Sequence, residues 1–424
     1  MPAVDSPAAS APASAHSPAA DRPAYRDANV LRWLCAYAAS AVGDSMYYLA
    51  LSWAALRDGS PAQAGAVLAV SAVPRALLML GGGVLVDRLG PRRVVVATDA
   101  ARSLIVLGVA ALLLLASPGL WLLALVAVVF GVLDAVFMPA VGALPPRIAP
   151  PGQLARIQGM RGLASRMATV VGAPLGGLAV ALGGSAAAFG AAGLLFALSA
   201  PLLLAVRTAP LPAADDAAKP KANALRDLAD GLRYIRRHRV LAPLLVVIAL
   251  ADLGFVGPLN VGLALLADER GWGASGMGWI LAGFGAGSGA ASLLLAVRGR
   301  TPRAGLVQGL ALASGAVAIG ALAFTTSIAA AVAVAVAIGL LAGLSGALCN
   351  ALVQTETDPA YLGRVTSVAT FFSLGLAPLS YPVTGAAVGL WGTEPVFVVS
   401  AAVCAAGALY GLSAKALRGA ELPR

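Results

Sequence analysis

The sequence predicts an all-α membrane protein of about twelve transmembrane helices in two pseudo-symmetric six-helix bundles. Three observations predict it. The chain is poor in charge, its apolar runs recur at the length of a membrane crossing, and its second half repeats short elements of its first. Of 424 residues, 59% are hydrophobic and 11% charged, against roughly 25% charged in a soluble domain. So few charges cannot cover a water-facing surface, and most of the surface must meet hydrocarbon.

The elements follow in order. Residues 1–28 are rich in Ala, Pro and Ser and lack the basic start and continuous apolar stretch of a signal peptide; they read as a disordered cytoplasmic tail. Apolar runs long enough to span, roughly 20 residues each, lie at 30–56, 62–86, 94–117, 119–143, 157–182 and 184–206, which makes 29–206 the first bundle. A cytoplasmic central loop, 207–240, interrupts them with Pro210, Pro212, Asp215, Asp216, Lys219, Pro220 and Lys221, then the basic run Arg233, Arg236, Arg237, His238, Arg239. Its periodicity from Ala224 to Tyr234 predicts an amphipathic helix on the membrane surface. Further runs at 241–267, 274–297, 303–325, 327–351, 362–389 and 394–415 make 241–415 the second bundle, and 416–424 a cytoplasmic tail. Pro74, Pro174, Pro258 and Pro378 are expected to kink their helices.

The basic residues set the orientation. With the N-terminus inside, the outer loops hold only Arg57 and Arg270, while the inner segments hold Arg88, Arg92, Arg93, Arg147, Arg156, Arg161, the central-loop run, Arg298, Arg300, Arg303, Arg364, Lys415, Arg418 and Arg424. This asymmetry places both termini in the cytoplasm. It also accounts for the net charge of +10, which lies against anionic lipid and argues against a nucleic-acid partner. Cys35, Cys349 and Cys404 stand far apart with no metal or disulfide spacing and read as packing residues. The two histidines, His16 and His238, lie outside the spans, and no phosphate-binding Gly-rich loop, metal cluster or nucleophile triad is present, so neither an enzyme nor a cofactor is expected.

The halves match at consistent offsets. Ala39-Ser-Ala-Val-Gly43-Asp44 parallels Leu250-Ala-Asp252-Leu-Gly254-Phe255, and Gly172-Ala-Pro174-Leu175-Gly176 parallels Leu376-Ala-Pro378-Leu379-Ser380. A duplicated six-helix unit is an architecture of secondary transporters with a site between the halves. After the second span comes Gly83-Val-Leu-Val-Asp87-Arg88-Leu-Gly90-Pro-Arg92-Arg93. This resembles motif A of the major facilitator superfamily, G-x-x-x-D-R-x-G-x-R-R, at its usual place between helices two and three. Gly83 allows close helix approach, Asp87 and Arg88 suit a latch near helix ends, and Gly90 permits a tight turn. The resemblance implies the major facilitator fold and a loop that helps hold the outward-facing state. Three further stretches look like the drug:proton antiporter branch that includes macrolide and enterobactin exporters: Gly43-Asp44-Ser45 with Ala50-Leu51-Ser52-Trp53, Asp134-Ala-Val-Phe137-Met-Pro139-Ala140 with Leu144-Pro145-Pro146-Arg147, and Leu362-Gly363-Arg364-Val365-Thr-Ser367. In the antiporter motif of helix five, Ala173 stands where that branch has Gly. The resemblance implies exchange of a small amphiphilic substrate for protons; the Ala-rich composition suggests a bacterial source and hence its cytoplasmic (inner) membrane, and a monomer is expected.

Ionisable groups inside a bilayer are functional candidates by default. The first half carries Asp44, Arg75, Asp99, Arg102, Asp134 and Arg166. Depth along the helices pairs Asp44 with Arg75 and Asp134 with Arg166, and one helical turn joins Asp99 to Arg102. Two readings stand: three ion pairs that lock helices, or a gate released when Asp44 or Asp134 takes a proton. Asp252 has no base in the core of any second-half helix, which suits a proton carrier or a cation contact; the alternative is a neutral carboxyl bonded to a backbone carbonyl or to Asn260. Tyr47, Tyr48, Phe137, Met138, Asn260, Asn350, Gln354, Phe371, Phe372 and Tyr381 could line a cavity, and walls of aromatics and Met suit bulky apolar ligands. Export of an amphiphile is the expectation. The alternatives are a proton-coupled uptake permease, disfavoured by the small polar content of the cavity residues, and a non-transporting membrane sensor.

Overall fold

The computed structural model describes residues 24–116, 119–150, 153–208, 224–298, 301–358, 361–370, 373 and 377–422. All regular structure among them is helical. In hydrocarbon every backbone N–H and C=O must find a partner within the protein, which a helix supplies locally. The first half contains α1 (Ala28–Asp58), α2 (Pro61–Leu89), α3 (Pro91–Leu115), α4 (Leu120–Ala143) and α5 (Leu154–Leu204). A helix α6 (Ala224–Arg237) follows in the central loop. The second half contains α7 (Leu241–Glu269), α8 (Gly273–Arg298), α9 (Ala304–Ala323), α10 (Ile328–Glu356), α11 (Leu362–Thr370), α12 (Ser380–Trp391) and α13 (Thr393–Ser413). Among the described residues eight helices are long and apolar enough to cross a membrane. With α1, α2, the second limb of α5 and the pair α11–α12, the order accommodates twelve crossings.

Local chemistry sets the boundaries. Asp27 caps α1 by accepting from the amides of Asn29 (2.7 Å) and Val30 (3.4 Å). Ser60 and Gln63 satisfy each other's amides reciprocally at the start of α2, a capping box. Gly90, at φ +84°, turns the chain into Pro91, the first residue of α3. The two expected helices, 157–182 and 184–206, meet as expected at Gly183 and Gly184, where the chain reverses and Gly184 has φ +69°; only glycine takes that conformation without strain. Within the expected helix 362–389 the described residues include the helices Leu362–Thr370 and Ser380–Trp391, the second entered through a 3₁₀ turn, Ala377–Leu379, around Pro378. Pro258 opens a π-helical turn, Pro258–Gly262, inside α7, while Pro74 and Pro174 lie within α2 and α5.

The same neighbours recur in both halves. α2 packs on α4 and α3 on α4 and α5; correspondingly α8 packs on α10 and α9 on α10 and α13. Between the halves, α2 crosses α12 and α5 crosses α8. Small residues set both crossings. A Cβ on Gly177 would lie 2.5 Å from the carbonyl oxygen of Ala274, and one on Gly278 2.5 Å from that of Ala173. At the other crossing a Cβ on Gly65 would lie 2.5 Å from the Tyr381 carbonyl oxygen, and one on Gly385 would overlap that of Pro61. Without a hydrophobic drive between helices in lipid, such close backbone approach is what holds them. Both crossings lie at the end of the bundle opposite the termini. Toward the termini α2 leaves Leu77 and Leu78 exposed. The halves thus close on each other at that end, and cavities between them lie toward the other.

Candidate functional site

The interior of the first half is built around Arg102, which is fully buried on α3. Its guanidinium bonds Asp134 of α4 and lies 3.5 Å from Asp99 and 3.7 Å from Asp44 of α1. It also stands over the ring of Phe137 (4.0 Å), with Phe196 and Phe130 at 5.8 and 5.9 Å. A buried charge persists only when paired and hydrogen-bonded, and stacking on ring faces adds to the pairing. Asp99 is the most enclosed acid, taking hydroxyl hydrogen bonds from Ser199 (2.5 Å) and Ser40 (3.1 Å). Asp134 takes one from Tyr48 (2.8 Å) and lies 3.9 Å from Arg75. Three carboxylates thus face two guanidiniums. Asp44 is the outermost acid, its side chain 29% exposed, with an oxygen, Oδ1, that accepts no hydrogen bond.

This arrangement corrects two expected pairings. Arg75 serves Asp134, not Asp44. Arg166 does not reach Asp134 but donates to Ser288 of α8, across the two halves. Depth along a helix is legible from residue counts, but the face a side chain occupies against a partner helix is not. The third expected contact, Asp99 with Arg102, is present at 3.5 Å.

Asp44 opens on a cavity of about 340 Å³ between the halves, lined also by Tyr48, Phe137, Met138, Asn260 and Phe284. Tyr47 is not among its walls: it is fully buried behind them, stacked on Phe130 at 3.8 Å. Tyr381 lies at the α2–α12 crossing instead. Phe371 and Phe372 lie outside the described residues. A larger cavity, about 640 Å³, extends into the second half and is lined by Asp252, Gln308, Ser345, Asn350 and Gln354 along with Arg166 and apolar side chains. Asp252 accepts from Ser373 (2.5 Å), not from Asn260, whose amide is satisfied by the Val256 carbonyl at 2.8 Å. No base forms an ion pair with Asp252 among the described residues. Gln308 is fully buried; its amide donates to Ser345 (3.1 Å) and its oxygen has no partner. Gln308, Ser345 and Ser373 were not anticipated, since single polar residues within glycine- and alanine-rich helices carry no distinguishing pattern. The cavity is more polar than expected.

Motif A occupies the end of α2 and the start of α3. Arg88 and Arg93 are exposed. Arg92 donates to the carbonyls of Leu203 (3.2 Å) and Leu204, at the C-terminal end of α5, where a cation meets the negative end of the helix dipole. The side chain of Asp87, and the surroundings of Gly83, lie outside the description.

Two helical halves with matching internal contacts and a central cavity holding buried charge are the arrangement of a membrane transporter. The profile of the Major Facilitator Superfamily matches residues 33–378. The chain belongs to that superfamily of transporters. No curated protein matches the sequence. Among solved structures it is similar to a mutant of the nucleoside transporter NupG, with a TM-score of 0.72 and 13% identity over 91% of this chain and 100% of that one. A bacterial homologue of the human lysosomal transporter Spinster, in an inward-facing conformation, gives 0.65 and 16% over 93% and 96%. A POT family transporter in complex with 5-aminolevulinic acid gives 0.67 and 11% over 90% and 94%.

Proposed function

We propose that this protein exports a small amphiphilic molecule, a drug or a natural product, across the cytoplasmic membrane of a bacterium in exchange for protons. It acts as a monomer, with both termini in the cytoplasm. The observation that carries the reading is Asp44: an acid at the cavity wall, 3.7 Å from Arg102, in a cluster with one carboxylate more than its guanidiniums. A proton arriving on Asp44 removes that excess and leaves Arg102 to Asp99 and Asp134. The charge change biases a two-state packing of the halves. The Lys and Arg asymmetry supports an inner location for the open end, so this form takes substrate from the cytoplasm. Tyr48, Phe137, Met138 and Phe284 supply an apolar, adaptable wall suited to an amphiphile. Asp252, in the second cavity, is a further acid available to a proton or to a substrate cation.

The test is transport in proteoliposomes under an imposed pH gradient, with a panel of hydrophobic cationic dyes and macrolides, comparing wild type with Asp44→Asn and Asp252→Asn. Dye movement driven by the gradient and lost in Asp44→Asn supports the antiporter. Movement unaffected by either substitution refutes the proton assignment. A second reading, uptake of a polar solute, draws on the acceptor side chains Gln308, Asn350 and Gln354 in the larger cavity. Proton-coupled accumulation of a nucleoside or amino acid, with no dye movement, would select it.

A further inference from the structure

The two halves place different chemistry at one and the same position, and their close helix approaches set the register between them. A Cβ on Gly43 of α1 would lie 3.2 Å from the Ala192 carbonyl oxygen and the Phe196 ring of α5; one on Gly254 of α7 would lie 2.8 Å from the Ser400 carbonyl oxygen and 2.7 Å from the Cys404 sulfur of α13. A Cβ on Gly131 of α4 would overlap the Ser71 carbonyl of α2, as one on Gly339 of α10 would overlap the Phe284 carbonyl of α8. Next to Ala192, a Cβ on Gly193 would lie 2.7 Å from Leu107 of α3; next to Ser400, Ala401 lies 3.4 Å from a Cβ on Gly320 of α9. Equal steps from these anchors match Arg102 with Gly315 and Arg75 with Ser288. Asp44, Asp99 and Asp134 match Phe255, Leu312 and Ala342, and the rings of Phe137 and Phe196 match Ser345 and Cys404. Every one of these counterparts lines the second-half cavity of about 640 Å³. In the first half that place is filled by Arg102, fully buried among its acids. In the second half it is open space.

What the cavity keeps is acceptor chemistry. Asp252, one helical turn before Phe255, lines it; its Oδ2 accepts the Ser373 hydroxyl at 2.5 Å, and no base forms an ion pair with it among the described residues. Gln308 lines it too, fully buried, with its amide on Ser345 (3.1 Å) and its oxygen without a partner. A buried carboxylate calls for a cation, and a buried acceptor calls for a donor. In the first half Arg102 supplies both from within the chain. The base on the second cavity's lining, Arg166, does not. It is bonded to Ser288 and stands where this cavity meets its neighbour, lined by Arg161 and Thr169. The remaining wall, with Phe255, Phe284, Leu312 and Ile338, is apolar and suits a hydrocarbon body. A bare metal ion would need six or so oxygens about it and leave most of the volume unfilled, and an anion would meet Asp252 with like charge.

We propose that the second-half cavity binds an organic cation, an ammonium or amidinium on an apolar body, which pairs with Asp252 and takes the place that Arg102 fills in the first half. This rests on the exporter reading only in making the cation the cargo. Binding itself needs neither a proton on Asp44 nor a direction of transport.

Binding is measured on the full chain in detergent, without a gradient, by scintillation proximity with radiolabelled tetraphenylphosphonium. Phenylbutylamine and its uncharged analogue phenylbutanol compete for it on wild type, an arm that needs no variant. The amine should compete at least about tenfold better, the worth of one charge-assisted contact. Asp252→Asn should weaken binding of both cations by about tenfold or more. Asp268→Asn, which removes the same charge from the exposed end of α7, should not. Gly315→Arg, at a position where a Cβ meets only Leu341 at 3.6 Å, supplies the guanidinium from within the chain. It should abolish binding without lowering the melting temperature, and Gly315→Arg/Asp252→Asn should melt below it. Equal competition by amine and alcohol, stronger competition by the zwitterion phenylalanine, unchanged binding in Asp252→Asn or absence of binding would each overturn the site. The two readings separate cleanly. Asp252-dependent cation binding without gradient-driven dye movement keeps the site and refutes the exporter; Asp44-dependent transport with binding indifferent to Asp252 does the reverse.

Discussion

Replacing Arg102 with Met tests whether one buried guanidinium organises the first half. Met keeps an apolar, flexible side chain against Phe137, Phe130 and Phe196 but removes the charge shared by Asp44, Asp99 and Asp134. Breaking a buried ion pair from one side costs about 3–5 kcal/mol, because the remaining charge is left without its partner. Three acids lose a partner here, but the costs do not add threefold. Asp99 keeps two serine hydroxyls, Asp134 keeps Tyr48 and the more distant Arg75, and Asp44 borders the cavity. The expected loss is therefore near the lower end, about 3 kcal/mol. The assay is equilibrium unfolding in mixed micelles followed by circular dichroism, with Arg102→Met/Asp134→Asn as the companion. The companion removes the acid bonded most closely to Arg102 and should recover about 1–2 kcal/mol, a coupling expected of neighbours in one network. Arg166→Met, which forfeits one bond to Ser288, should cost about 1–2 kcal/mol. A loss below about 1 kcal/mol for Arg102→Met, or a double variant as unstable as the two single losses added, would refute the hub.

Other perturbations separate packing from transport. Asp44→Asn should leave stability within about 1 kcal/mol, since this partly exposed acid leaves one oxygen without a hydrogen bond, while abolishing gradient-driven transport; a fall in stability matching that of Arg102→Met would place Asp44 in the scaffold. Gly177→Leu should push α5 from α8 and raise the labelling of a cysteine introduced at Ser275 by a membrane-impermeant maleimide. Gly142→Leu, where a Cβ meets nothing within 4 Å, should leave that labelling unchanged. Phe130→Ala, in the fully buried stack with Tyr47, should cost about 3–5 kcal/mol in unfolding. Met138→Ala, 53% exposed at the cavity wall, should cost less than about 1 kcal/mol and act on substrate affinity instead.

Much of the fold was legible because lipid reduces the possibilities. Once charge is scarce and apolar runs are about 20 residues long, helices are what can form, and the Lys and Arg distribution orders them. The internal repeat was legible for a similar reason: Gly43 with Gly254 and Pro174 with Pro378 mark close approaches and kinks, which depend on residue type and little on surroundings. The reversal at Gly183–Gly184 falls at the expected boundary between the runs 157–182 and 184–206. The π turn after Gly257 was less legible: Pro258 marks a kink, but not its form.

The site divides along the same line. That Asp44, Asp99, Arg102 and Asp134 carry cost and therefore purpose follows from the price of charge in hydrocarbon. Their pairing does not, because it depends on helix rotation. Depth and spacing along the chain assign Arg75 to Asp44, Arg166 to Asp134 and Arg102 to Asp99. Packing separates them. Arg102 points among Phe130, Phe137 and Phe196 toward all three acids, Arg75 reaches Asp134 from α2, and Arg166 faces away across the gap to Ser288. The consequence is functional as well as geometric. Three self-contained pairs would be neutral. Three acids around two bases, with Arg166 withdrawn to the other half, are not. Removing the third base from the expected set creates the unmatched charge on which the proposed proton coupling at Asp44 rests, and the same base forms a polar tie between the halves.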